Sequence, residues 1–360
     1  MRLLKKEWLF FSFLSLFFIL SFKLKPSFKD LYLAIDFKTI RALTALLFIT
    51  TAVKISGMFK YFSTQIVKKL SDERNLALVL VIISTFLSMF LTNDITLFII
   101  VPLTLSISSQ IKNNLTKLIV FETMAVNVGS MLTPFGNPQN IYLFRQMDIS
   151  VVDFILKMGI VFLPLFLLLV AYTYVLFPKK QIFLNPVKKE SFDKKLFFIS
   201  WVMFFIFIVS LEFSILRYTL ILIISVYFFI CKRVFKEFDY FLILTFVLMF
   251  IDFDLLSRLE TIQNLMKSFS YNYLNIFNLS VFLSQLFSNV PAAIFITKFT
   301  HDYLPVAYGV NIAANGFFIA SLANIIAIRF AKNSVLEFHK YSIPYFLFSY
   351  VISLVLLWFL

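Results

Sequence analysis

Long apolar runs leave this chain few options: near-continuous stretches of Leu, Ile, Val and Phe recur from Trp8 to Leu360. Crossing a bilayer takes roughly 17–25 such residues per helix. In all, 61% of the residues are hydrophobic, 14% are charged and fifty are Phe, with a mean hydropathy of +0.91. No water-soluble domain can hide that much apolar surface. The runs lack the strict alternation of barrel strands, which would read as segments of about ten residues. In lipid every backbone polar group needs an internal partner, so helices are the solution that remains.

The sequence therefore predicts an all-α, multi-pass protein of the cell (inner, cytoplasmic) membrane. It forms a single transmembrane domain over 1–360 with about 10–11 transmembrane helices. Spans are predicted near 8–22, 39–58, 76–91, 149–177, 196–211, 214–231, 238–253, 270–287 and 341–360. Four further segments, 92–111, 117–144, 288–300 and 303–329, are apolar yet studded with Asn, Thr, Gly and Pro. Backbone that breaks inside a membrane is tolerated only against protein or a wet cavity. These four are predicted to be re-entrant hairpins and broken helices.

Charge narrows the function. The net charge is +14, but the basic residues stand in short clusters between apolar runs, as the positive-inside rule requires and nucleic-acid binding does not. The densest cluster, Lys179, Lys180, Lys188, Lys189, Lys194 and Lys195, places the 178–195 loop in the cytoplasm and divides the chain into repeats at about 31–177 and 196–360. Arg2, Lys5 and Lys6 precede the first apolar stretch, Trp8 to Phe22. Lys23, Lys25 and Pro26 follow it where small cleavage-site residues would stand, so it reads as a first helix. The lone Cys231 supports no disulfide framework, and His301 and His339 lack metal-ligand spacing. No phosphate loop or nucleophile elbow is present, which argues against an enzyme. Lys298 and Arg329 are expected to snorkel, and Tyr172, Tyr174, Trp201 and Trp358 to sit in interfacial belts.

The pattern occurs twice. Ser88-x-x-x-Thr92-Asn93, then Asn127 and Asn140, is echoed by Ser284-x-x-x-Ser288-Asn289, then Asn311 and Asn324. Asn127 and Asn311 each stand 13 residues before the second Asn of their pair (127 to 140, 311 to 324). Matched amides in two apolar halves suggest one shared site. Within 129–140, Pro134, Pro138, Gly129 and Gly136 rule out an intact helix, freeing carbonyls for a cation and helix amino ends for an anion. Ser hydroxyls, Asn amide oxygens and unwound carbonyls are the ligands a small hard cation needs, and Asn93 and Asn289 also suit helix capping.

These residues resemble a family. Leu91-Thr92-Asn93-Asp94-Ile95-Thr96-Leu97, Val101-Pro102-Leu103, Asn127-Val128-Gly129-Ser130, Gly136-Asn137-Pro138-Gln139-Asn140 and Ser288-Asn289-Val290-Pro291-Ala292 look like the citrate-transporter-like anion permeases. Those are relatives of arsenite permeases and divalent-anion sodium symporters within the ion transporter superfamily. Ile35-Asp36-Phe37-Lys38-Thr39 and Ser56-Gly57-Met58-Phe59 extend the likeness. The resemblance implies inverted repeats whose hairpin tips, Thr92-Asn93-Asp94 and Ser288-Asn289-Val290, hold sodium and touch the solute. The partner loops would be Thr133, Pro134, Gly136 and Asn137 in the first repeat and Ile319, Ala320 and Ser321 in the second. A sodium ion would lie at Ser88, Thr92, Asn93 and Gly136, with Ser284 at the matching place. Homodimers are expected. No organic cofactor is implied; Na+ is the candidate coupling ion.

The departures matter too. Asp94 and Val290 stand where the dicarboxylate symporters carry a hydroxyl, and the second partner loop lacks proline. An intramembrane carboxylate is a functional hypothesis by default. Asp94 can strengthen a sodium site, carry a proton, cap its hairpin or pair with a basic residue; Glu122 also borders the repeats. The sequence thus points to a secondary active transporter moving a small anion or oxyanion with Na+ or H+ across the lipid bilayer. Against it stand a cation antiporter on the same scaffold, an intramembrane enzyme and a passive channel.

Overall fold

The computed structural model describes residues 7–67, 70, 72–106, 115–181, 191–331 and 335–358. The middle of the lysine-rich loop, with Lys188 and Lys189, lies outside them, as do Arg2, Lys5, Lys6, Lys68, Lys69 and positions 107–111. The described residues form helices without a strand. In chain order these are α1 (Trp8–Leu24), α2 (Phe28–Ala34), α3 (Phe37–Ser56), α4 (Met58–Val67), α5 (Glu73–Ser88), α6 (Asn93–Ser106), α7 (Leu115–Ser130), α8 (Pro138–Met147), α9 (Val151–Leu176) and α10 (Lys194–Glu212). There follow α11 (Leu216–Ile230), α12 (Arg233–Glu237), α13 (Tyr240–Ser257), α14 (Glu260–Lys267), α15 (Tyr273–Phe287), α16 (Asn289–Ile296), α17 (Tyr303–Ala313), α18 (Leu322–Ala331) and α19 (Val335–Trp358).

Local chemistry sets the boundaries. Asp36 starts α3 by accepting from the Lys38 and Thr39 amides, and Gly57 ends it at φ 74°. Ser27 and Asp30 form a capping box on α2, while Ser150, Asp193 and Asn272 each cap the helix that follows. Such caps satisfy amides that have no partner in the first turn.

Among the described residues five helices, α3, α9, α10, α13 and α19, are long and apolar enough to cross a membrane; α1, α6, α11 and α15 are shorter apolar helices. α9 shows how a lipid solvent changes the pattern. Phe154, Met158, Val161, Leu165 and Leu169 are buried, while Val152, Leu156, Ile160, Leu163 and Leu167 on the opposite side are exposed. Both sides are apolar, so helix periodicity survives as packing against protein versus packing against acyl chains. The interior is where the polar residues collect: Asn127, Asn137, Asn140, Asn311 and Asn324 are all fully or almost fully buried.

Of the four segments, 117–144 and 303–329 are broken, while the described parts of 92–111 and 288–300 hold continuous helices that carry Pro102 and Pro291 within them. α5 and α6 form one hairpin and α15 and α16 the other, each turning at its Asn. α7 and α8 are the halves of one helix split over 131–137; α17 and α18 are split over 314–321, with a 3-10 turn at Phe318–Ala320. The halves cross-pack. α7 lies against α18, and α17 against α8.

One expectation is corrected. Lys298 does not run free to an interface; it is ion-paired with Asp254 at 2.6 Å. Tyr172 and Trp201 are half-buried, with Tyr172 stacked on Phe121 and Tyr345 and Trp201 packed on Phe90 and Phe204. Tyr174 and Trp358 are exposed, as a belt requires.

Each broken helix meets its hairpin at a glycine. A Cβ on Gly129 would lie 2.0 Å from the Thr85 carbonyl and 2.2 Å from the Ser88 hydroxyl; one on Gly309 would lie 2.5 Å from the Ser280 Cβ. Backbone sits on the other side of both gaps, so little can yield. Gly129→Ala is expected to destabilise the protein by about 1–3 kcal/mol through overpacking, read as a lowered unfolding midpoint in detergent. An unchanged midpoint would mean that α5 and α7 are not in this contact.

Candidate functional site

The first hairpin tip is tied to the loop of its own broken helix. The Asn93 amide donates to the Gly136 carbonyl at 3.1 Å, and the Thr133 hydroxyl donates to the Met89 carbonyl at 2.7 Å. Asn93 then turns its Oδ1 onto the next backbone amide, that of Asp94, at 3.0 Å. The second tip repeats the arrangement. Asn289 Oδ1 accepts from the Val290 amide at 2.9 Å, and the Ser288 hydroxyl faces the Ala320 carbonyl at 3.5 Å. Ser288 holds φ 77° and ψ 158°, a region that side-chain-bearing residues occupy at a cost of about 1–3 kcal/mol.

Behind the tips, asparagines close the breaks. Asn140 donates to the carbonyls of Ser130, Met131 and Thr133 at 3.0–3.2 Å, and Asn324 donates to those of Ala314 and Phe317 at 2.8 and 3.2 Å. Each break also receives a bond from the other half of the chain. Asn127 Nδ2 donates to Asn324 Oδ1 at 2.9 Å and to the Ala314 carbonyl at 3.1 Å. Asn311 Nδ2 donates to Asn140 Oδ1 at 2.6 Å, and Asn311 Oδ1 accepts from Asn137 at 2.9 Å. Asn137 caps α8 through the Asn140 amide, and Ser321 donates to Asn127 Oδ1. Carbonyls freed by a break are costly to leave unpaired in an apolar interior, and this lattice covers them.

In front of the tips lies a cavity of about 60 Å³. The opening residues of four helices meet there: Asn93 and Asp94 of α6, Pro138 and Gln139 of α8, Asn289 and Val290 of α16, and Leu322 of α18. Helix amino ends carry partial positive charge and unpaired amides, so this is a favourable place for solute oxygens. α1 supplies Trp8, Leu9 and Phe13 to the far wall, and α13 supplies Leu242, Phe246 and Met249. Thr92 lines an adjoining cavity with Asp94.

The proposed site residues thus fall into two groups. Thr92, Asn93, Asp94, Ser288, Asn289 and Val290 reach the cavities. Thr133, Pro134, Gly136, Asn137, Ala320 and Ser321 form the loops bracing the tips, and Asn127 and Asn311 form the lattice behind them. Ser88 and Ser284 donate back into their own helices, to the carbonyls of Thr85 and Ser280. In the suggested sodium set, Asn93 and Gly136 are joined directly, while the Ser88 hydroxyl is already engaged. Glu122 is fully buried and accepts from Thr104.

Sequence reasoning missed the roles of three residues, one at the cavity and two braces. Gln139 lines the cavity; Gln285 pins the second break by accepting from the Phe317 amide and donating to the Ala313 carbonyl; His339 accepts from the Phe318 amide. An amide or imidazole interrupting an apolar run is the signal that would have found the last two.

The chain matches the family described as "Citrate transporter" over residues 9–302. It is 34% identical to Inner membrane protein YbiR of Escherichia coli over 328 residues, 90% of this chain and 88% of the relative. It is also 34% identical to Uncharacterized transporter MJ0456 of Methanocaldococcus jannaschii over 312 residues, 85% of this chain and 84% of the relative. A more distant likeness, 25% over 127 residues, covers 35% of this chain and 26% of Silicon efflux transporter LSI3 of rice.

The strained tip offers a direct test. Ser288→Gly is expected to stabilise the fold by about 1 kcal/mol, as relief of about 1–3 kcal/mol is offset by about 0.5–1 kcal/mol of extra glycine entropy in the unfolded chain. A raised unfolding midpoint in Ser288→Gly beside an unraised one in Ser288→Ala is the expected signature. Equal midpoints would place the residue in an ordinary conformation.

Proposed function

The chain belongs to the citrate transporter family and is a multi-pass membrane transporter rather than an enzyme; from that premise we propose that it is a secondary active transporter for a small anion or oxyanion. The carrying observation is the meeting of four helix amino ends, two from hairpins and two from broken helices, on one cavity. Binding rests on these ends and on Asn93 and Asn289, one from each half of the chain. The two halves act as inverted repeats, and the solute is exchanged between the two sides as one part moves against the other.

Coupling to Na+ or H+ follows from Asp94. A buried carboxylate beside an anionic solute is repulsive unless a cation or proton accompanies it. Asp94 Oδ1 has no hydrogen-bond partner among the described residues, so that companion has a place to sit. The same atom supports a second reading, a cation antiporter in which Asp94 is the exchanging group. Sodium flux that depends on proton gradient and on no added solute would favour it.

Proteoliposomes with imposed sodium and proton gradients provide the test. Asn93→Ala and Asn289→Ala should each lower solute uptake at least about 100-fold, since each removes a site group whose partners are then left unsatisfied, while both proteins remain folded by their unfolding midpoints. Wild-type uptake in both variants would remove the tips from the site.

A further inference from the structure

A separate cavity opens where α3 ends. It measures about 420 Å³, within the range of roughly 300–1,000 Å³ typical of ligand pockets. Its lining holds three basic side chains, Lys54, Lys60 and Arg233, and one acidic one, Glu237. An apolar wall comes from Phe98, Ile99 and Pro102 of α6. Phe98 is exposed, and the Lys54 ammonium stands 5.4 Å from the centre of its ring. Lys54 and Arg233 both reach Glu237, at 3.5 and 2.7 Å. One carboxylate does not neutralise two cations, and ion pairs this exposed are worth little. An incoming anion can therefore share both.

The cavity stands where headgroups meet acyl chains, because α3 is long and apolar enough to cross the membrane and Lys54 lies in its last turn. The Asp193 amide donates to the Ser56 carbonyl at 2.9 Å, which sets the cavity on the side of the lysine-rich loop. The positive-inside rule assigns that side to the cytoplasm, where anionic lipids attract basic side chains. The opposite end of α3 makes the comparison. There a cavity of about 300 Å³ is lined by Lys38 and Arg145 against Asp148 and Glu212. Two charges of each sign give it no preference for an anion, and its one aromatic ring, Phe144, is buried.

We propose that the cavity at the end of α3 binds the headgroup of an anionic phospholipid of the cytoplasmic leaflet. The phosphate meets Lys54, Lys60 and Arg233, and the acyl chains begin along Phe98, Ile99 and Pro102. A soluble anion would use the basic side chains alone; the exposed apolar wall is what a lipid can also cover. The bound lipid touches two parts of the protein. Lys54, Lys60 and Arg233 belong to α3, α4 and α12, whereas Phe98 belongs to the hairpin helix that begins with Asn93 and Asp94. Phe98 follows Asp94 by about one helical turn, so a seated headgroup ties the helix bearing the first tip to its neighbours. The site does not depend on which solute the protein carries.

The test titrates the full-length protein in detergent with phosphatidylglycerol, phosphatidylcholine or inorganic phosphate and reads the unfolding midpoint. The expected result is a midpoint raised by phosphatidylglycerol and left in place by phosphatidylcholine. In the triple variant Lys54→Gln, Lys60→Gln, Arg233→Gln the apparent affinity for phosphatidylglycerol should fall about 10- to 100-fold. A control variant, Lys194→Gln, Lys195→Gln, Lys236→Gln, removes as many exposed charges from the same side outside the cavity and should keep that affinity. Equal stabilisation by the two lipids, or an equal loss in the two variants, would overturn the proposal. Inorganic phosphate raising the midpoint as far as phosphatidylglycerol would also overturn it, since the ligand would then be a soluble anion. Should the triple variant fail to fold, Lys60→Gln alone carries the test: a loss of about fivefold supports the site, and an unchanged affinity sinks it.

Discussion

A reciprocal clasp between asparagines is the interaction on which this structure depends. Asn127 bonds to Asn324, and Asn311 bonds to Asn140, so each broken helix is completed by a side chain from the other half of the chain. A helix interrupted in an apolar interior leaves carbonyls that neither water nor lipid can satisfy. Here the gap in each half is filled partly by its own Asn and partly by its counterpart's. The two breaks are therefore stable together. Parted, each would expose several unpaired carbonyls, a cost of about 1–3 kcal/mol apiece.

The cavity follows from the clasp. Holding the two breaks side by side brings the amino ends of α8 and α18 to one place, and the bonds from loop to tip bring those of α6 and α16 beside them. The lattice behind the cavity is saturated with hydrogen bonds, whereas polar atoms in front of it, on Asp94, Gln139 and Asn289, have none. That division separates the asparagines that hold the two breaks together from the polar side chains that line the cavity. α1 and α13 complete the enclosure with apolar walls, so the polar groups lining the cavity are concentrated at the tips and the start of α8.

Much of this was legible in the residues themselves. Apolar runs marked the spans, because in lipid both faces of a helix are apolar and length is the surviving signal. Pro134, Pro138, Gly129 and Gly136 marked the first break by steric rules that act locally. The second break lacks proline, and it was found through its resemblance to the first. What the sequence did not show was partnership across the chain. Asn127 and Asn324 are 197 positions apart and Asn311 and Asn140 are 171 apart, so no local pattern distinguishes an Asn that binds a solute from one that binds another Asn. Trp8 and Phe13 gave no hint either, since an aromatic residue on an apolar helix looks the same against lipid, core or cavity. Lys298 misled for a related reason: its partner Asp254 is on another helix.

The most direct test is a double-mutant cycle on unfolding free energy, using Asn127→Ala, Asn324→Ala and the pair. If the two amides complete one another's break, the losses couple by about 0.5–3 kcal/mol. If they add to within about 0.3–0.5 kcal/mol, the halves are not clasped at their breaks, and the shared cavity loses its foundation.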